Sequence, residues 1–205
     1  VSPDTVIPQQ QGTQAWDRYA GMNNNPVKYI DPTGHDVDCA ITDTACVRQV
    51  LIENTLIQYD INFVYGTPIY DPSLEDAGLM DKNGNVWIGP IAFSSNGWLA
   101  STLYHESKHP EQLASGRNYE NTSPQGVAIN EVEAYDYELD AYYNGNLFGL
   151  SSGEYQAISY VRNKYYSQLS SENRLRVDNG IYTIPGETVQ YIPGQSVRIY
   201  PQHRK

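Results

Sequence analysis

The chain has 205 residues, enough for one substantial core and one appendage rather than two ordinary domains. Apolar residues at 40% and charged residues at 18% fit a folded protein, and 18 Tyr against 3 Phe point to many aromatics with polar tips. A formal charge of −11, from 13 basic and 24 acidic residues, would repel a phosphate backbone and speaks against nucleic-acid binding.

No stretch approaches the roughly 20 apolar residues that span a bilayer, and the N-terminus lacks the charged and apolar regions of a secretory signal. Membrane insertion is therefore not expected, nor is self-directed secretion. The two cysteines, Cys39 and Cys46, are spaced too widely for a paired-thiolate metal site. A disulfide between them and a pair of buried thiols both remain open.

Residues 1–37 are rich in Pro, Gln, Asn and Gly and hold neither helical nor strand periodicity for long, so they read as an extended leader. Turn signals in it flank a short strand-like run, Val27-Lys28-Tyr29-Ile30. The folded domain is expected over 38–205. Val47, Val50, Leu51 and Ile57 at helical spacing, after the possible cap residues Thr42 to Thr44, predict a first helix to about Tyr59. Two β-prone runs follow, Ile61 to Tyr70 and Asn85 to Phe93, the second preceded by an Asp81-Lys82-Asn83-Gly84-Asn85 turn.

Ser95-Asn96 should cap a helix from Gly97 to about Gln112, with Pro110 expected to end or kink it because proline offers no backbone donor. Another helix is expected from about Ala128 to Tyr143, closed by Asn144-Gly145-Asn146. A third opens at Ser151-Ser152-Gly153-Glu154 and carries Ala157, Ile158, Val161, Tyr165 and Leu169. Ile181 to Tyr200 alternates β-branched residues with Pro-Gly turns, as a final hairpin would. The fold class expected is α+β, a small antiparallel-type sheet packed on one central helix and two or three others.

Residues 105–109 read His-Glu-Ser-Lys-His. Four positions apart on a helix, His105 and His109 project from one face and can bite a single ion. Glu106 lies beside them, where a carboxylate can take a proton from an attacking water and pass it to a leaving amine. A catalytic zinc wants three protein ligands, and Asn130-Glu131-Val132-Glu133-Ala134-Tyr135 offers two carboxylates for the third place.

With those residues the chain resembles the gluzincins, zinc peptidases in which a His pair is completed by a Glu on a later helix, often in a pattern of Glu, two residues, Ala, then Asp or Asn. The resemblance implies a zincin-like fold and a Zn2+ cofactor held by His105, His109 and Glu131, with Glu133 as runner-up. It also implies hydrolysis of protein or peptide substrates by metal-activated water, with Glu106 as general base. Tyr135 departs from the pattern where relatives carry a carboxylate or amide that supports a ligand histidine, and Asp136 is the candidate for that role. An oxyanion-stabilising residue is not singled out among Tyr104, Tyr119, Tyr135 and Tyr137.

The leader carries a second resemblance. Gln14 to Ala20, then Asn24 to Gly34, are similar to the end of the Rhs-repeat core that precedes variable C-terminal toxin domains. That likeness implies an Rhs shell around the domain, Asp4 and Asp31 as a self-cleavage pair, delivery into a target cell as part of a larger protein, and a cognate immunity protein. A non-catalytic tip of an Rhs protein, and a zinc amidase acting on cell-wall peptides, are the readings that compete with a peptidase toxin.

Overall fold

A computed structural model of the chain describes residues 29–30, 39–40, 42–117 and 123–184. Two short strands open it, β1 (Tyr29–Ile30) and β2 (Cys39–Ala40), paired antiparallel with Ile30 opposite Cys39. The pairing joins the two sides of the leader-domain boundary expected at 37. Cys39 and Cys46 form a disulfide, which ties β2 to the first turn of α1 (Thr44–Tyr59). Asp43 caps that helix by accepting from the Cys46 amide.

A three-stranded sheet follows, built from β3 (Ile69–Tyr70), β4 (Gly78–Met80) and β5 (Val86–Ile88) in the order β3-β5-β4. It is mixed, not antiparallel as expected: β4, which lies outside both expected runs, forms a hairpin with β5 across the 81–85 turn, and β3 runs parallel to β5, with Ile69 opposite Trp87. The chain between β3 and β5 makes β4 on the way, so β3 and β5 enter the sheet from the same end. Of the second β-prone run only Val86–Ile88 is strand; Pro90 starts a short 3-10 helix through Ser94. Val86 and Ile88 turn inward to meet Ile52, Ile61, Ala92, Leu99 and Leu103, a core that glues α1 and the sheet to the next helix.

That helix, α2 (Asn96–Ala114), starts where the Ser95 hydroxyl accepts from the Trp98 amide. It does not end at Pro110. Proline removes only its own helical bond, and the fully buried ring is packed so that the helix runs one further turn. α3 (Pro124–Tyr143) starts earlier than expected, with Pro124 at its first position behind the cap Ser123. It closes at Asn144, followed by Gly145 at φ 110° and Asn146 at φ 52°.

α4 (Ser152–Gln168) has the capping box formed by Ser151 and Glu154. Leu169 leaves the helix in extended conformation, and Ser170 caps a further helix, α5 (Ser171–Asp178). Ala100, Leu139, Phe148, Leu150 and Ile158 join α2, α3 and α4; Ala128, Ile129, Val132, Leu169 and Val177 join α3 to α5. α2 thus lies between the sheet and α3, buried on both sides. Residues 181–184 form no strand, and the remainder of the expected hairpin lies outside the described residues. Among the described residues no helix is long and apolar enough to cross a membrane.

Candidate metal centre

His105 and His109 do not face solvent. Both sit in the middle of α2 on the side covered by α3, with 6% and 5% of their surface exposed. Their Nε2 atoms approach to 3.3 Å. Two zinc–nitrogen bonds of about 2.0–2.1 Å at a tetrahedral angle would separate their nitrogens by about 3.3–3.4 Å, so the pair is spaced as ligands of one ion are.

Glu131, on the facing turn of α3, spans the pair: Oε2 lies 3.7 Å from Nε2 of His105 and Oε1 lies 3.7 Å from Nε2 of His109. The other sequence candidate points elsewhere. Glu133 accepts from the Gln112 amide (3.0 Å) and pairs with Arg117 and with Lys108 Nζ (3.6 Å). Two residues on from Glu131 is about 200° round the helix, which carries Glu133 off the histidine face. His105, Glu106 and His109 also bring one possible ligand atom each within 4.8 Å of one another, so Glu106 is close enough to serve the site.

Glu106 is buried against the sheet rather than solvated. Its carboxylate lies over Gly78 on β4, so closely that a Cβ at that position would stand 2.3 Å from Oε1. Burial pushes its pKa up, with the nearby His109 and His105 pulling the other way. A carboxyl held like this is a stronger base when ionised than one in water.

The support of His105 differs from expectation. Asp136 makes a two-pronged pair with Arg162 (2.8 and 3.1 Å) and accepts from the Tyr182 hydroxyl, so it touches neither histidine. One residue past Tyr135 it is turned about 100° away from the site. Glu138, seven residues after Glu131 and therefore on the same face, takes the place instead. Its Oε2 lies 3.4 Å from Nδ1 of His105, within ion-pair reach though out of line for a hydrogen bond, and its other oxygen accepts from Ser101.

Tyr135 sits between the two glutamates, its ring 4.2 Å from that of His105, and stacks on Tyr165 of α4. Tyr104 and Tyr137 stack on each other 4.0 Å apart, on the Lys108 side, while Tyr119 lies outside the described residues. Asp4 and Asp31 lie outside them too.

Burial disfavours charge on His105, but contact with Glu131 and Glu138, and the charges of Glu138 and Glu106, outweigh it and hold its pKa up at about 10. In that state Nε2 of His105, which faces His109 and Glu131, bears a hydrogen that must leave before a cation can bind there. Two imidazoles, each able to ligate once neutral, converge with three carboxylates, a donor set that fits a divalent ion such as zinc.

Three contributors were missed in the sequence: Gln112, Glu138 and Gly78. The first two had a readable signal, since Gln112 stands three residues after His109 and Glu138 two turns after Glu131. Gly78 had none, because nothing local says that β4 passes beneath Glu106. Set against protein-family models, curated proteins and solved structures, the chain matches none of them.

Proposed function

We propose that this chain is a zinc-dependent metallopeptidase with a zincin-like catalytic unit, carried as the toxin tip of an Rhs-type protein. One observation carries the enzymatic part: two buried imidazole nitrogens 3.3 Å apart meet both oxygens of one carboxylate, with a second carboxylate alongside. In this reading His105, His109 and Glu131 hold the metal. Zinc bound there would polarise a scissile carbonyl and make a water molecule more acidic.

The rest of the chemistry belongs to the chain. Glu106 accepts the proton of the attacking water and returns it to the departing amine nitrogen, a transfer favoured by the burial that raises its basicity. Glu138, braced by Ser101, holds the His105 ring from behind. The ring of Tyr135 shields the same histidine from water. The edge strand β4 runs past Glu106 and offers an extended peptide a backbone to lie along. Delivery by an Rhs shell rests on the leader sequence alone.

Elemental analysis of the purified chain, paired with hydrolysis of a denatured protein, tests the proposal. One zinc per chain is expected, with Glu106→Gln retaining the metal and losing activity, and Glu131→Ala losing both. An unimpaired, zinc-loaded Glu106→Gln variant would show the mechanism to be wrong. Digestion of peptidoglycan but not of proteins would move the activity to cell-wall amides.

A further inference from the structure

Gln112 is fully buried, and its amide contacts three groups at once. Nε2 donates to the Asn130 carbonyl at 2.8 Å and to Oε2 of Glu133 at 3.0 Å, while Oε1 lies 2.9 Å from Nδ1 of His109. A backbone carbonyl can only accept, so the NH2 end of Gln112 must face α3 and the oxygen must face the histidine. An amide oxygen offers no hydrogen. Nδ1 of His109 therefore carries one, and in the neutral ring the lone pair is left on Nε2, the atom that faces His105 and Glu131.

Glu133 keeps this orientation from reversing. Its carboxylate is held by Arg117 and Lys108, and Arg117 in turn donates to the Tyr182 carbonyl at 3.0 Å. Turning the Gln112 amide over would set its oxygen against both a carboxylate and a carbonyl, replacing two donated hydrogen bonds by repulsion between acceptors. The clamp is made across α2 and α3, the two helices that carry the metal-facing residues.

We infer that Gln112, clamped by Glu133 and the Asn130 carbonyl, is a positioning residue that fixes the tautomer and ring angle of His109 for metal binding. The inference rests on the metal reading above for its purpose, but the tautomer itself does not. Glu133 thereby acquires a role in the site without touching an ion. The residue that competed with Glu131 for the metal braces the other ligand instead.

The test uses nitrogen-15 NMR of the full-length metal-free chain and zinc affinity measured by competition with a chelator. In the parent, neutral His109 is expected to bear its hydrogen on Nδ1; a hydrogen on Nε2 overturns the inference, with no variant needed. Gln112→Met keeps the length of the side chain and removes the acceptor. It should mix the tautomers and weaken zinc binding about ten- to a hundredfold.

Gln112→Glu restores an acceptor for Nδ1 while giving up the donations to α3. It should be less stable than the parent yet keep the tautomer, and bind zinc more tightly than Gln112→Met. A purely structural Gln112 predicts the reverse, with Gln112→Glu the worse of the two in affinity, and that order refutes positioning. A parent chain with the expected tautomer that takes up no zinc supports the clamp and sinks the metal reading beneath it.

Discussion

Gly78→Ala isolates the placement of Glu106 from every other property of the site. The substituted Cβ would stand 2.3 Å from Oε1 and 2.5 Å from Cδ and Cγ of Glu106, where ordinary contact needs more than 3 Å. The glycine is not in the left-handed region, so alanine strains no backbone there, and the carboxylate is what must yield, by about 1 Å. Displacement of a reacting group by that amount costs on the order of a hundredfold in rate, or about 2.7 kcal/mol of barrier.

The three atoms nearest the new methyl all belong to Glu106, so zinc content should stay at the parent level. Steady-state hydrolysis of a peptide by Gly78→Ala, alone and in a Glu106→Gln background, is the assay. The loss should appear in the single variant and vanish in the double, because the methyl acts only through Glu106. An undiminished kcat/KM in Gly78→Ala, or an equal further loss in the double variant, would refute the placement of Glu106 as the base.

Glu138→Gln should weaken zinc binding about tenfold or more, whereas Asp136→Asn, which loses only its pairing with Arg162 and Tyr182, should leave the affinity unchanged. For the metal-free chain, a His105 pKa raised to about 10 from the ordinary 6.5 contributes stability that is fully present below pH 6.5 and disappears as pH rises through 10; urea unfolding across that range measures it. The same proton must leave for zinc to bind, so affinity should climb as pH rises over that window, with proton release visible by calorimetry in buffers of different ionisation heat. Replacing Cys39 and Cys46 by serine opens a covalent loop of sequence separation 7 and should cost roughly 2 kcal/mol of stability without lowering activity per zinc-loaded chain.

The helices were legible where a side chain marks their start. Ser95 and Ser151 each bond the amide three residues on, and α2 and α4 begin where those serines say. The fourth junction escaped notice because Leu169 continues the apolar spacing of α4 while its backbone has already left the helix to let Leu169 pack against α3 and α5. Burial of one leucine outweighed one more helical turn. The parallel pairing of β3 with β5 is a contact between segments about 18 residues apart, and two-residue strands carry too little alternation to announce it.

In the site the motif residues lay together on the page, and the helix phase selects among the rest. Glu131, Tyr135 and Glu138 share one face of α3 and all reach His105; Asn130, Glu133 and Tyr137 share the next and reach Gln112, Lys108 and Tyr104. Counting by fours and sevens from Glu131 leads to Glu138, while nearness in sequence leads to Asp136. Proline at 110 misled for a different reason: the rule counts the hydrogen bond lost, and the burial of the ring within α2 is invisible locally.

The short pairing of β1 with β2 has a practical side. Ile30 stands opposite Cys39, Cys39 is bonded to Cys46, and Cys46 lies in the first turn of the helix whose inner side supports the sheet under Glu106. A fragment cut at residue 38 would leave β2 as a bare edge, with its amides and carbonyls open to the next chain in the tube. Whoever trims this protein for crystals should begin ahead of Tyr29, because the first knot of the folded unit is tied there.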